Sequence, residues 1–239
     1  MIKVTVWNEN VHERTDENIR KVYPEGIHGQ IASFLRTNED MLVRTATLEQ
    51  PENGLPQELL DDTDVLIWWG HMAHEKVEDA TVERVWKRVV MGGMGFVGLH
   101  SAHASKIFAK LMGTDTWNLC WHESGLPARV WTVNHAHPIA KGVGDGFTIP
   151  TEETYGERFG IPQPDELVFI TGYPTGEVFR SGLCYRRGLG RVFYFQPGHE
   201  SCPTYYQKEV QTVITNGVRW AAQTDIVTPR TGWTAPEYR

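Results

Sequence analysis

Phe96-Val97-Gly98-Leu99-His100-Ser101-Ala102-His103 decides how the rest of the chain is read. Four uncharged residues form a short apolar run, the pattern of a strand buried on both faces. A histidine then sits among small residues, and His100 to Ser105 open a helix running to about Met112. Gly98-x-His100-x-Ala102 has the spacing of the sharp strand-to-helix turn that presents the nucleophile in G-x-S-x-G proteins. A histidine there can move a proton or bind a metal, but it is a poor acyl-forming nucleophile. Ser101 is one position off the crest.

The same pattern recurs on either side. Asp64-Val65-Leu66-Ile67-Trp68-Trp69 is a strand that stops at Gly70-His71, and residues 2–6 are a strand ending in Trp7-Asn8-Glu9-Asn10. Residues 42–47 make another. Val82, Val85, Val89 and Val90 recur at helical spacing within residues 77–90, so that segment is an amphipathic helix. Strand, helix and strand with short connectors predict parallel pairing and right-handed crossovers, the α/β class. The pattern changes after Gly113. Residues 128–133, 167–171, 177–185 and 191–195 read as strands broken by glycine, some of them with antiparallel partners. Residues 205–222 are the last helix. One domain over 1–223 and an aperiodic tail over 224–239 are expected; the tail is either loose or packed on a neighbouring subunit, so a homo-oligomer is allowed.

Composition narrows the functional classes. The chain has 239 residues and a formal net charge of −7, which disfavours a nucleic-acid binder because phosphate contacts need a positive face. No long uncharged apolar run or leader-like start is present, so a membrane span and a secretion signal are not expected. Three cysteines, Cys120, Cys184 and Cys202, are far apart and odd in number. They suit a reduced cytoplasm rather than a disulfide framework.

Ligands gather outside the carboxyl ends of strands in open α/β sheets. His12 and His28 follow the first strand, His71 and His74 the third, His100 and His103 the fourth, and His199-Glu200 the strand over 191–195. Each taken singly is as well explained by a helix cap or a surface position; several at once point to one crevice. His71-x-x-His74 and His100-x-x-His103 have the i, i+3 spacing that shares a helix face and suits a divalent metal such as zinc. The alternative is neutral imidazoles that bind hydroxyls or move protons. Glu152-Glu153-Thr154-Tyr155-Gly156-Glu157 reads as a solvated acidic loop unless one carboxylate is buried beside a histidine. Trp68, Trp69, Trp117 and Trp121 lie near strand ends, as core or as faces for a sugar ring. Residues 118–123 suit a loop over the pocket. No nucleotide cofactor is expected.

The set Val4-Thr5-Val6-Trp7-Asn8-Glu9, Tyr23-Pro24-Glu25-Gly26-Ile27-His28-Gly29, Trp68-Trp69-Gly70-His71, Gly98-Leu99-His100-Ser101, His137-Pro138-Ile139, Glu153-Thr154-Tyr155-Gly156-Glu157 and Gln196-Pro197-Gly198-His199-Glu200 resembles the trehalose-utilisation (ThuA-like) family. The resemblance implies a fold similar to class I glutamine amidotransferases, a flavodoxin-like three-layer sandwich with a mainly parallel sheet. The amidotransferase cysteine falls where His100 stands, and their catalytic histidine is similar in place to His199. Thioester chemistry on glutamine is therefore not expected.

The resemblance also implies a role with trehalose or related disaccharides, in pathways through 3-keto sugars. Such a ketone acidifies the adjoining C–H, and proton removal leads to isomerisation or cleavage. On this reading His100, His199, Glu153 and Tyr155 are catalytic, while His28, His74, Trp69 and Glu200 contact the substrate. His28, His100 and His199 are the candidate metal ligands. A non-catalytic sugar-binding or regulatory protein, on a scaffold that has lost its thiol, is the alternative; a metal-dependent hydrolase is a weaker third.

Overall fold

Short runs of β-branched and aromatic residues build the centre of the sheet. The computed structural model describes residues 1–223, and the tail expected over 224–239 lies outside the described residues. The strands β1 (Ile2–Asn8), β2 (Met41–Thr47), β3 (Val65–Trp69) and β4 (Gly95–Leu99) lie parallel in the order β2-β1-β3-β4. Every residue of β3 and β4 is buried, which explains why both read as continuous apolar runs. Between the strands run α1 (His12–Thr15), α2 (Glu17–Val22), α3 (Gly26–Leu35), α4 (Gln57–Asp61) and α5 (Asp79–Val90). On α5 the buried valines are 82, 85 and 89.

The second half adds α6 (Lys106–Met112), β5 (Cys120–Thr132), β6 (Gly146–Gly156), β7 (Glu166–Gly172), β8 (Val178–Arg187), β9 (Gly190–Phe195) and α7 (Lys208–Ala221). Strand β9 joins β4 in parallel, and β8, β7, β5 and β6 follow it outward in antiparallel pairs. The nine-stranded sheet is thus mixed, where a mainly parallel one was expected. The connections give the reason. Only Gly188-Leu189 separates the last pair of β8 and β9, and Gly188 has φ +59; a two-residue turn can join only antiparallel neighbours.

Three local expectations change. His100 does not open an α-helix: a 3₁₀ turn spans His100–Ala104, and Ser105 then caps α6 by accepting the Phe108 N–H at 3.2 Å. Residues 152–156 of the acidic run are not a loop but the end of β6, paired with a β5 that begins at Cys120, and Glu157 lies just past it. Residues 120–123, expected in a loop, therefore belong to a strand. Among the described residues no helix is long and apolar enough to cross a membrane.

Register places the site. Asn8 pairs with Trp69, Trp69 with Leu99, and Leu99 with Phe195. Four carboxyl ends thus finish in one row, and His71, His100 and His199 lie just beyond it. Helix α7 backs this region, burying Val210, Val213, Ile214, Gly217 and Val218. A Cβ on Gly217 would stand 2.6 Å from Phe193 Cδ1 of β9. Gly217→Val should therefore lower the unfolding free energy by about 1–3 kcal/mol through overpacking, read as an earlier denaturant midpoint with unchanged slope.

Candidate active site

His100 stands at φ +51, the left-handed region that residues with a Cβ seldom adopt. The tight turn is accommodated by small neighbours: a Cβ on Gly98 would already touch Ala102 Cβ at 3.4 Å. Tyr194 fixes the turn from below, its hydroxyl donating to the His100 carbonyl at 2.9 Å. The His100 ring is fully buried and its Nδ1–H donates to the Gln196 carbonyl at 3.1 Å. That bond leaves Nε2 for the site, where Glu153 Oε2 lies 3.2 Å away.

Four side chains from separate stretches meet here. One ligand atom each from His71, His100, Glu153 and His199 lies within 4.8 Å of the others. His71 and His100 stack at 5.9 Å between ring centroids, and His199 meets both edge-on. His100 Nε2, Glu153 Oε2 and His199 Nε2 are buried without a hydrogen-bond partner. Such atoms are costly to leave unsatisfied, and together they form a donor set of nitrogen and carboxylate oxygen suited to zinc-like ions.

Two buried carboxylates hold the loops that carry these rings. Glu152 accepts the N–H groups of Gly198 at 2.9 Å, His199 at 3.0 Å and Glu153 at 3.0 Å, and the Thr204 hydroxyl at 2.8 Å. Glu9 accepts the N–H groups of Met72 at 2.9 Å and Ala73 at 3.0 Å, fixing the loop after His71. The Trp69 indole donates to the Gly198 carbonyl at 3.1 Å and stacks on both His71 and His100.

Burial dominates the electrostatics. It lowers the His71 pKa to about 2, aided by His100, His12, His199 and His74. It lowers His103 to about 3 and, with His100, His199 to about 4. His100 differs. Burial lowers its pKa, but contact with Glu153 and the nearby Glu152 and Glu200 charges outweigh this, so it is raised. For Glu152 burial raises the pKa, against the His100 charge and the hydrogen bonds from His199, Thr204 and Glu153. Burial, together with Glu153, lifts the Tyr155 phenol well above its usual range, so it stays protonated; its Oη lies 3.1 Å from Ser101 Oγ.

A cavity of about 220 Å³ opens beside the cluster, lined by His71, Ser101, His103, Glu153 and Tyr155. Trp117 and Trp121, 60% and 62% exposed, stand at its rim. The pocket combines apolar faces with a few convergent polar groups, the usual make-up of a small-molecule site.

The expected residues divide accordingly. His100, His199 and Glu153 meet at one point, with Tyr155 against the His100 ring. Glu200 lies beside His199, its Oε1 3.5 Å from His199 Nε2. His28 is not part of the ligand cluster. Its Nδ1 is 3.0 Å from Asn8 Nδ2, and Asn8 in turn donates to Glu13, so local packing uses it; His71 takes its place. His74 likewise does not join: His71 lies in a loop and His74 opens a 3₁₀ turn, so they share no helix face. His103 packs on Tyr155, Phe159 and Tyr194 instead. Trp69 is fully buried, and holds the imidazoles rather than offering a face to sugar. The expected ligand set left out His71, and sequence reasoning did not single out Glu152 and Glu9 as clamps. The signal for His71 was its place two residues beyond β3, beside the elbow.

Fold and site define an α/β protein with an imidazole–carboxylate centre at the carboxyl ends of its parallel strands. The chain belongs to the ThuA family, described as trehalose utilisation, whose model matches residues 3–221. It is similar in structure to a ThuA-like protein of Parabacteroides merdae, with a TM-score of 0.69, 15% identity, and 99% and 93% of the two chains covered. A ThuA-like protein of Bacteroides uniformis gives 0.66, 18%, 92% and 91%. These likenesses concern the fold. No curated protein matches the chain.

Two outcomes follow from the clamps and the neutral imidazoles. Glu152→Ala strands three buried N–H groups and should cost about 3 kcal/mol or more, at roughly 1–3 kcal/mol each, measured by chemical denaturation. His71, His103 and His199 are neutral when folded but charge near pH 6.5 when unfolded. Between those values the unfolded chain binds more protons at these three rings, so their contribution to stability falls as pH drops below about 6.5, while the raised His100 and Glu152 act the other way. His103→Gln should make that acid slope shallower by up to one proton, in denaturation series between pH 7 and pH 4.

Proposed function

We propose that this chain is an enzyme of sugar metabolism that removes a proton next to the ketone of a 3-keto sugar or keto-glycoside, with a divalent metal such as zinc. The family's description, trehalose utilisation, supports the substrate class. The observation that carries the chemistry is the convergence of three imidazoles and one carboxylate, most of whose facing atoms lack hydrogen-bond partners. His71, His100 and His199 would hold the ion, the ligand count that leaves a catalytic zinc an open position. Bound there, the metal polarises a carbonyl oxygen.

The chain's own groups supply the rest. Glu153 lines the cavity and is the base: its carboxylate takes the C–H proton and returns it to the neighbouring carbon, giving isomerisation. Where a substituent lies β to the carbanion, its departure gives cleavage instead. Tyr155, protonated and held near Ser101, donates to the oxygen that gains charge and takes back a proton from the neighbouring hydroxyl, whose oxygen becomes the new ketone in the isomerisation. Trp117 and Trp121 offer aromatic faces at the rim. The scaffold is the three-layer, flavodoxin-like sandwich of the class I amidotransferases, and three free cysteines accord with a cytoplasmic setting.

The test offers 3-keto-trehalose in deuterated water to metal-free and zinc-loaded protein. The loaded protein should place deuterium beside the ketone, and Glu153→Gln should slow this at least about 100-fold. No exchange in either form contradicts proton abstraction. Saturable binding of unchanged sugar would then favour the sugar-binding reading, for which the histidine at the elbow in place of cysteine speaks.

A further inference from the structure

A second convergent set lies next to the first. His12 Nε2, His71 Nδ1 and Glu200 Oε1 lie within 4.8 Å of one another. The separations are 2.8 Å for His12 to His71, 3.5 Å for His12 to Glu200 and 3.8 Å for His71 to Glu200. Three ligands placed about 2.0–2.1 Å from a tetrahedral ion stand about 3.3–3.4 Å apart; the two separations to Glu200 are close to that, and the 2.8 Å contact is a hydrogen bond between the two rings that an ion would replace by parting them about 0.5 Å. Glu200 is 4% exposed, and its Oε2 is buried without a hydrogen-bond partner. Every ion-pair partner of Glu153 and Glu200 among the described residues is an imidazole. Among the described residues Glu200 therefore has no lysine or arginine beside it to offset its burial, a role a bound cation would fill.

We propose that His12, His71 and Glu200 form a second divalent-cation position, adjacent to the one bounded by His71, His100, His199 and Glu153. The inference rests on the reading of that first position. His71 would serve both as an imidazolate, Nδ1 toward His12 and Glu200 and Nε2 toward the first ion, with the proton of its one N–H released to solvent as the second ion binds. The donor set, two imidazole nitrogens and a carboxylate oxygen, suits zinc, cobalt or nickel rather than calcium or magnesium. The side chains of His12 and His71 are 15% and 27% exposed, so the ion has a route in and room for a water ligand.

The test is stoichiometry on the full chain. Protein stripped with chelator is titrated with cobalt(II), followed by calorimetry and by the cobalt absorption bands, then checked by elemental analysis. Two equivalents per chain are expected. Glu200→Gln and His12→Ala should each bind one, with the bands of the remaining ion kept, while His199→Ala loses or weakens the other. The Glu200→Gln and His12→Ala proteins are compared with the parent by circular dichroism; His12, on a short partly exposed helix, is the change least apt to disturb folding. Saturation of the parent at one equivalent, with His12→Ala merely weakening it, overturns the second position and leaves the first intact. No bound equivalent overturns both.

Discussion

Glu152 is wholly buried near the end of β6, in the antiparallel half of the sheet, yet its hydrogen-bond donors come largely from the loop after β9 in the parallel half. The carboxylate thereby joins the two halves where the imidazoles meet. Remove it, and the Gly198 and His199 N–H groups have no acceptor in a place water does not reach. Glu9 repeats the device for the loop after β3. Both turn a flexible connection into a fixed mount, and a site that must hold three rings to within fractions of an ångström needs fixed mounts.

The elbow supplies the other constraint. At φ +51, His100 carries backbone strain of the kind that survives only where surrounding structure over-determines it. Here the Tyr194 hydroxyl, the Gln196 carbonyl and the Trp69 ring all act on one residue. The strain brings Nε2 to Glu153 beside the cavity. An imidazole at such a turn is suited to metals and protons, not to acyl transfer.

The central strands were legible because burial on both faces leaves an unbroken apolar signature, as in Val65 to Trp69. The gathering of histidines was legible because strand ends in a parallel sheet share an edge. What sequence did not separate was His71 from His74, or His28 from the cluster. All three follow strands, and only packing against Asn8, Glu13 or Trp117 tells them apart. The acidic run misled for a physical reason. A carboxylate satisfied by backbone N–H groups, as Glu152 is, leaves the same sequence trace as one satisfied by water. The antiparallel extension was visible only as glycine-broken strands, since register is set by turns such as Gly188-Leu189.

The proposed chemistry depends on an ion seated among His71, His100, His199 and Glu153. Anomalous diffraction at the zinc edge, from crystals grown with zinc, addresses this directly. The account predicts a strong anomalous peak within coordination distance of those imidazole nitrogens. Peaks confined to surface groups such as His122 or His135, with the four side chains undisturbed and no density between them, would contradict it.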